Sequence, residues 1–393
     1  MGKDTEIAVY YFPNYHRDPF NEDLHGEGWN EWELLKRATP RFLGHQQPKV
    51  PAWGYEDESD PVAMARKIDA AADHGIDTFL FDWYWYSKGP FLHRALEEGF
   101  LKADNRDRLK FSLMWANHDW IDIMPCPKWA AFPREGDDVP AKKRFRPVQE
   151  EGFLAPEKFT EATTYMIEHY FGQPNYWRVN GGLYFSIYDL MNLVQGFGGI
   201  EETRAGLDDF RERVRQAGHG ELHLNAIVVD LPILPGGGKV ENINAFLKQL
   251  GFDSVSTYTW FHHYQPESFP TVAYEDVRAA AERDFRVFTE RYDVSYYPHV
   301  SMGWDPSPRT VQSDAYAHAG YPYTPIWEGN TPEAFEQGLN AVKRFLDEGW
   351  TQPRIFTINA WNEWTEGSYL EPDLVHGMKY LEAIRNVFGK KGG

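Results

Sequence analysis

Three glutamates stand close together near the C-terminal end of the sequence, in the stretch Asn359-Ala-Trp-Asn-Glu-Trp-Thr-Glu-Gly-Ser-Tyr-Leu-Glu-Pro-Asp373. Glu363 and Glu366 are three positions apart, so a local helical turn would bring both carboxyl groups to one side. Two carboxyl groups in an aromatic pocket have their pKa values pushed apart, so that one acts as an acid and the other as a base. Cleavage of a glycosidic bond needs that division. Spacing alone leaves a structural role open, because acidic residues after a strand also bind backbone amides or a neighbouring arginine.

The elements that must position these glutamates follow a simple pattern. Short apolar runs alternate with helical patterns eight times, which is typical of repeated βα units around a parallel sheet. The predicted strands are 7–11, 78–82, 110–115, 183–188, 222–229, 254–258, 298–302 and 354–359. The predicted helices are 61–74, 91–102, 157–170, 202–217, 240–250, 274–291, 332–348 and 377–388. We therefore predict an α/β fold, a (β/α)8 TIM barrel, with residues 1–393 forming one catalytic domain.

The longest loops leave the C-terminal ends of predicted strands. They cover 12–60, 116–156, 259–273 and 303–330, and barrel enzymes build their active sites at that rim. Within the loop after the third strand, the charged stretch 137–146 is interpreted either as a solvated surface or as a lid over the site.

Polar and aromatic residues stand at nearly every strand end, and together they predict one substrate site. A single member such as Asp82 would equally well cap the next helix. The candidate binding residues are Tyr11, Asn14, His16, Trp32, Asp82, Trp83, Trp85, Trp115, Asn117, His118, Tyr188, Tyr258, Trp260, His262, Trp304, Asn359, Trp361, Asn362, Trp364 and Glu371. Six of their tryptophans are expected to line a sugar-sized pocket: Trp83, Trp85, Trp115, Trp260, Trp304 and Trp361.

Composition favours a neutral ligand. Aromatic residues make up 16% of the chain, and their rings suit stacking on pyranose faces, although surplus rings also pack between helices and sheet. The formal charge of −19 opposes binding to nucleic acid and to anionic membranes. We therefore expect an oligosaccharide or polysaccharide partner. Oligomeric state is not predictable from these features.

No cofactor is expected. The sequence has no phosphate-binding loop, and Gly236-Gly237-Gly238 lacks the spacing of a dinucleotide fingerprint. Neighbouring His262 and His263 would point in opposite directions on a strand, so no metal site is predicted. The lone Cys126 and the absence of a signal-like N-terminus favour a cytoplasmic protein, with a removed signal peptide left open.

Four motifs resemble the WbsX-like family, which is often labelled glycosyltransferase and is related to glycoside hydrolase family 99. They are Tyr10-Tyr-Phe-Pro-Asn-Tyr-His16, Gly28-Trp-Asn-Glu-Trp32, Gly44-His-Gln-Gln-Pro48 and the stretch that ends at Asp373. Family 99 enzymes are (β/α)8 barrels that cleave α-mannosidic bonds with retention. By this resemblance, Glu363 would remove the proton from the sugar 2-hydroxyl, which would attack the anomeric carbon to give a 1,2-anhydro intermediate. Glu366 would protonate the leaving oxygen and later activate water.

Three functions stay open at this point. A glycoside hydrolase is favoured. A glycosyltransferase of surface polysaccharide assembly fits the family label, but no two aspartates lie two positions apart, so the Asp-x-Asp motif common in such enzymes is absent. A non-catalytic glycan-binding barrel would keep the aromatic rim without needing both glutamates.

Overall fold

Parallel strands form the centre of the protein, whose computed structural model describes residues 5–121, 148–234 and 240–389. The strands are β1 Glu6–Tyr11, β2 Thr78–Tyr86, β3 Lys110–Trp115, β4 Gly182–Ile187, β5 Leu222–Ile227, β6 Ser254–Ser256, β7 Ser295–Tyr297, β8 His299–Ser301 and β9 Ile355–Asn359. Their order in the sheet is β7-β6-β5-β4-β3-β2-β1-β9-β8. Pro298 lacks an N–H group and separates β7 from β8, which together fill one position between β6 and β9. The result is a nearly closed (β/α)8 barrel, as predicted.

Helices follow most of the strands. They are α1 Pro19–His25, α2 Trp32–Arg37, α3 Pro61–Asp73, α4 Pro156–His169, α5 Leu190–Phe197, α6 Ile200–Gln216, α7 Ile243–Leu250, α8 Tyr274–Arg291, α9 Pro332–Asp347 and α10 Lys379–Phe388. Several begin as their sequence indicates. Asp60 accepts a hydrogen bond from the backbone of Val62 at the start of α3, and Thr331 caps α9 in the same way.

Short elements elaborate the loops. Short strands cover Gly89–Phe91, Trp120–Ile121, Val148–Glu150, Arg178–Val179, Thr271–Ala273, Ile326–Glu328, Asn362–Glu363 and Ser368–Tyr369. Short helical turns cover Arg106–Arg108, Trp260–His262, Ser307–Thr310 and Trp364–Glu366.

The structure corrects some predicted boundaries. β2 continues four residues beyond the predicted end at Asp82, because Gly89–Phe91 folds back and pairs with it. The predicted helix 91–102 is therefore helical only from Ala95, as a π turn followed by a 3-10 turn. The predicted strand 254–258 ends at Ser256. α1, α2 and α5 lie in segments predicted as loops.

Side chains on each strand alternate between the barrel interior and the helix layer. Tyr10 and Met114 belong to the interior cluster, whereas their neighbours Tyr11 and Trp115 pack among the helices. This alternation decides which candidate side chains can reach a cavity at the rim.

None of the helices among the described residues is long and apolar enough to cross a membrane. Cys126, the stretch 137–146 and the glycines at 236–238 lie outside the described residues, so the expectations stated for them stay predictions.

Candidate active site

Glu363 and Glu366 are held on a tight turn beyond the end of β9. Asn362–Glu363 pairs with Ser368–Tyr369, and Trp364–Glu366 forms a 3-10 turn between them, which brings both carboxyl groups to one cavity as their spacing predicted. Gly367 closes the turn at a φ of 65°, and a Cβ atom there would lie 2.6 Å from Cβ of Asp305. The turn therefore requires glycine at this position.

The cavity at this turn has a volume of about 70 Å³. Its polar lining includes Asp82 and Tyr84 from β2, Tyr258, and Arg309 with Tyr321 from the loop after β8. The cavity thus lies at the C-terminal rim of the barrel, where long loops predicted it.

Arg309 connects the two glutamates. Its Nη1 lies 2.5 Å from Oε1 of Glu366, and its Nη2 lies 3.6 Å from Oε1 of Glu363. The same guanidinium donates to Oε1 of Glu31 over 3.1 Å and 2.8 Å, and all four side chains are buried. Tyr321 also donates a hydrogen bond to Oε1 of Glu366. A rigid five-donor fork therefore fixes the relative positions of the carboxyl groups.

Tyr258 bridges a second pair of carboxyl groups. Its hydroxyl lies 2.9 Å from Oδ2 of Asp82 and 2.7 Å from Oε2 of Glu363. A phenol has one hydrogen, so it donates to one of these oxygens, and the other short contact needs a protonated carboxyl group that donates to the phenol. At least one of Asp82 and Glu363 therefore holds a proton.

Burial explains why protons are retained here. It raises the pKa of Glu363 well above its usual value, and the nearby Glu366 raises that pKa further, against the opposing effect of Arg309. Burial likewise raises the pKa of Asp82 well above its usual value. Glu31, Glu363 and Glu366 share the guanidinium of Arg309, so full ionisation of the three would leave an excess of buried negative charge. The raised pKa values make this cluster a candidate for proton transfer.

The N-terminal motifs of the sequence hold this turn in place. Asn362 clamps the backbone of Phe12, accepting from its N–H over 2.8 Å and donating to its oxygen over 2.7 Å. Its Nδ2 also donates to Glu58 over 2.8 Å. Asn14 donates to Glu31 over 2.6 Å and so supports the partner of Arg309.

The third motif acts through Asp305. His45 Nε2 lies 3.0 Å from Oδ2 of Asp305, and Gln47 donates to the same oxygen over 2.7 Å. The backbone N–H of Asp305 in turn donates to the backbone carbonyl oxygen of Glu366 over 2.5 Å. Four segments that are distant in sequence therefore meet around one turn.

Seven of the predicted site residues reach the cavity: Asp82, His118, Tyr188, Tyr258, Trp304, Glu363 and Glu366. Asn359 approaches Glu363 from the end of β9, with 3.4 Å between its Nδ2 and Oε2. His262 lines a larger neighbouring cavity and contacts Tyr188 over 3.0 Å. The structure brings these residues together; their roles toward a substrate stay predictions.

The predicted tryptophan lining is corrected. Trp304 lies at the cavity, but the other five pack in the layer between barrel and helices. Trp83 stacks on Trp85, Trp85 packs on Tyr165 of α4, and Trp115 packs on Phe159 of the same helix. Trp260 packs on Tyr274 of α8, and Trp361 packs on Phe79. These rings stabilise the barrel from outside.

Glu371 holds neighbouring side chains and is not at the cavity. Its Oε1 accepts from Nε1 of Trp361 over 2.8 Å and lies 2.5 Å from Nζ of Lys67, while Oε2 accepts from Trp364 over 2.7 Å. The third glutamate of the motif is thus a buried anchor for the loop that carries the other two.

The remaining candidates also lie away from the cavity. Tyr11 faces the helix layer. The indole Nε1 of Trp32 donates to the backbone carbonyl oxygen of Glu56 over 2.7 Å. Asn117 exchanges hydrogen bonds with the backbone of Asp189. His16 is buried, and burial lowers its pKa to about 4. Trp364 stacks on Tyr369, while Asn14 and Asn362 act as the supports described above.

Sequence reasoning missed Arg309, Tyr321 and the role of Glu31. Glu31 stands within the motif Gly28-Trp-Asn-Glu-Trp32, which is the signal in the sequence that points to it. Arg309 follows Pro306-Ser-Pro in a long rim loop and carries no distinguishing pattern of its own. Among the described residues, no group of His, Cys, Asp and Glu is arranged to hold a metal ion.

A known protein family matches nearly the whole chain. The model of the family described as Glycosyltransferase WbsX matches residues 7–384. Two relatives, each named Uncharacterized protein WxcX, come from two strains of Xanthomonas campestris pv. campestris. Each is 27% identical over 400 residues, which cover 97% of this chain and 49% of the relative. The chain thus spans about half the length of these curated relatives.

Solved structures share the fold. The GH99 endo-alpha-mannosidase from Bacteroides thetaiotaomicron has a TM-score of 0.54 at 14% identity, covering 98% of this chain and 96% of that one. A structure titled Glycoside hydrolase-like protein has a TM-score of 0.60 at 15% identity, covering 98% and 94%. At these identities the likeness extends to the barrel architecture alone.

Proposed function

Because this chain belongs to the family described as glycosyltransferase WbsX, we propose that it acts on a carbohydrate, and specifically that it hydrolyses a glycosidic bond in an oligo- or polysaccharide. The observation that carries this proposal is the arrangement of Glu363 and Glu366, two buried carboxyl groups that line one cavity and share Arg309. Their surroundings differ, because Tyr258 contacts Glu363 while Arg309 and Tyr321 contact Oε1 of Glu366.

Glu363 suits the base. If Asp82 holds the proton of the bridged pair, the phenol of Tyr258 donates to Glu363 and keeps that group a carboxylate. Burial at the same time raises the pKa of Glu363, which makes its carboxylate a stronger acceptor for a hydroxyl proton. We assign it to the 2-hydroxyl of the sugar.

We assign the acid role to Glu366 from its place in the motif that resembles family 99. Arg309 and Tyr321 both approach its Oε1, so we assign the transferable proton to Oε2. In the first step, Glu363 takes the 2-hydroxyl proton, the sugar O2 bonds to the anomeric carbon, and the bond to the leaving oxygen breaks as Glu366 protonates that oxygen. In the second step, Glu366 takes a proton from water, the water oxygen bonds to the anomeric carbon as the bond between that carbon and O2 breaks, and Glu363 returns its proton to O2. The two inversions give net retention.

The fold likeness to a structure named as an endo-alpha-mannosidase supports an α-linked substrate as the first to be tested. The relatives are about twice the length of this chain, so what their full-length proteins act on is not carried over to it.

The family description favours a second candidate, a glycosyltransferase of polysaccharide assembly. A nucleotide-sugar donor would place a diphosphate beside cations. Among the described residues that line the two cavities, Arg309 is paired with Glu31 and Glu366, and Arg291 is paired with Asp230. These pairings support hydrolysis over diphosphate binding.

An oligosaccharide-release assay tests the proposal beside a sugar-nucleotide binding assay. A defined panel of α- and β-linked oligosaccharides is incubated with the protein, and the products are separated and sequenced. We expect release of a reducing sugar and no nucleotide binding. Nucleotide-sugar binding with transfer would support the second candidate, and glycan binding without turnover would indicate a non-catalytic barrel.

A further inference from the structure

A second, larger cavity adjoins the one that contains the two glutamates. Its volume is about 310 Å³, and it lies beyond the C-terminal ends of β4 and β5. The two cavities share His118, Asp119, Tyr188, Ile233 and Leu234 in their linings. A chain of sugars that enters one cavity can therefore continue into the other.

The lining of the larger cavity is unusual for a hexose site. Half of the described residues that line it are aliphatic, among them Leu190, Met191, Val229 and Ile243. Met191 is 41% exposed and Val229 and Ile243 are partly exposed, so apolar groups face the space that a ligand would occupy. Ring hydroxyls gain nothing from such a surface, whereas a methyl group gains its full burial energy.

The charges of this lining disfavour anions. Four carboxyl groups, those of Asp119, Asp189, Asp230 and Glu241, stand against the single guanidinium of Arg291. That guanidinium is engaged, since its Nη1 lies 2.7 Å from Oδ2 of Asp230. An acidic sugar would meet net repulsion here.

A neutral hydrogen-bonding group stands where the aliphatic surface meets the catalytic cavity. Burial lowers the pKa of His262 to about 3, so its imidazole is neutral at pH 7. Its Nε2 contacts the hydroxyl of Tyr188, and its Nδ1 has no hydrogen-bond partner among the described residues. The contact with Tyr188, which lines both cavities, therefore places an uncharged imidazole at their junction.

We propose that the larger cavity is a subsite for a neutral sugar that carries a methyl group, either as a 6-deoxy sugar or as an acetylated one. This inference rests on the proposed function, because it makes that sugar the neighbour of the unit whose bond is cleaved. It adds a substrate class, and its test does not need turnover.

Saturation-transfer NMR on the 393-residue protein tests the proposal with matched pairs of free monosaccharides, which carry no methyl aglycone. D-mannose is compared with 6-deoxy-D-mannose, D-glucose with N-acetyl-D-glucosamine, and D-glucose with D-glucuronate. Burial of one methyl group stabilises binding by ~0.8 kcal/mol, so we expect about four-fold tighter binding of at least one methyl-bearing sugar than of its partner. The two methyl-bearing arms identify which kind of methyl group is accepted. Glucuronate should bind more weakly than glucose.

A double variant, Met191→Gln with Ile243→Gln, locates the effect. It should remove the methyl preference, while Val287→Gln, which changes an exposed aliphatic residue of α8, should retain it. Equal affinity for both members of each neutral pair, or a preference that survives the double variant, would overturn the subsite. Methyl-dependent binding without hydrolysis would instead leave the subsite intact and remove the proposed reaction.

Discussion

The hydroxyl oxygen of Tyr258 lies 2.7 Å from Oε2 of Glu363 and 2.9 Å from Oδ2 of Asp82. Because Tyr258 bridges the two carboxyl groups, the protonation of Glu363 depends on that of Asp82 in β2. It also predicts how the proposed reaction responds to pH.

Removing this phenol should shift the acidic limb of the pH profile. The hydrogen bond from Tyr258 lowers the pKa of Glu363, opposing the larger effect of burial, so Tyr258→Phe should raise that pKa further. A base must be ionised to act, and the acidic limb of kcat/KM should therefore move to higher pH.

Asp82→Asn is the matched comparison, because an amide donates to Tyr258 as a protonated carboxyl group does. It should leave the limb nearly in place. A shift of the limb to lower pH in this variant would show that Asp82 is ionised in the free protein and that the proton was misassigned.

Glu366→Gln should impair substrates with poor leaving groups most. It removes the proton donor, at a cost of about 10²- to 10⁴-fold in kcat for alkyl glycosides. Aryl glycosides with acidic phenols need little protonation and should lose less in the first step. Steady-state rates on both substrate types measure this, with Glu201→Gln on the exposed start of α6 as the control. Equal losses on both types would contradict the acid role.

Glu363→Gln should impair both substrate types alike, because activation of the 2-hydroxyl precedes either leaving group. A 2-deoxy glycoside should be inert even with the unchanged protein. Product analysis on matched 2-hydroxy and 2-deoxy substrates checks this, and normal turnover of the 2-deoxy compound would exclude the 1,2-anhydro intermediate.

Arg309→Lys keeps the charge but loses the fork that joins Glu31, Glu363 and Glu366. Because small displacements of reacting groups are costly, we expect a loss of about 10²-fold or more in kcat. Arg211→Lys alters another partly buried arginine beside carboxylates, away from the cavity, and should keep activity. Circular dichroism verifies that both variants fold; full activity of Arg309→Lys would remove the positioning role.

His16 should make the folded state less stable in mild acid. Burial lowers its pKa from 6.5 to about 4, so below pH 6.5 the unfolded chain binds a proton that the folded chain does not. Stability is thus full above pH 6.5 and declines as the pH falls toward 4, by about 2 kcal/mol at pH 5. Urea unfolding of His16→Leu between pH 7 and pH 5 should show a correspondingly smaller decline, whereas exposed His169→Leu should match the unchanged protein.

Much of the architecture follows from local sequence. The alternation of apolar runs and helical patterns predicted the barrel, since a buried parallel strand and an amphipathic helix are each recognisable within a dozen residues. The long loops predicted the functional rim, and the spacing of Glu363 and Glu366 predicted their shared turn. The motif around Asn362 was recognisable because the residues that form this tight turn are consecutive in the sequence.

Which side chains meet at the cavity was decided by tertiary structure. Asp82 and Tyr84 face the cavity, whereas Trp83 and Trp85 between and beyond them face the helices. The two-residue period of a strand forbids all four from reaching one space, but the sequence does not say which set points inward. Arg309 depends on longer range still: its partners Glu31 and Glu366 are separated by most of the chain, and only closure of the barrel places their carboxyl groups around one guanidinium.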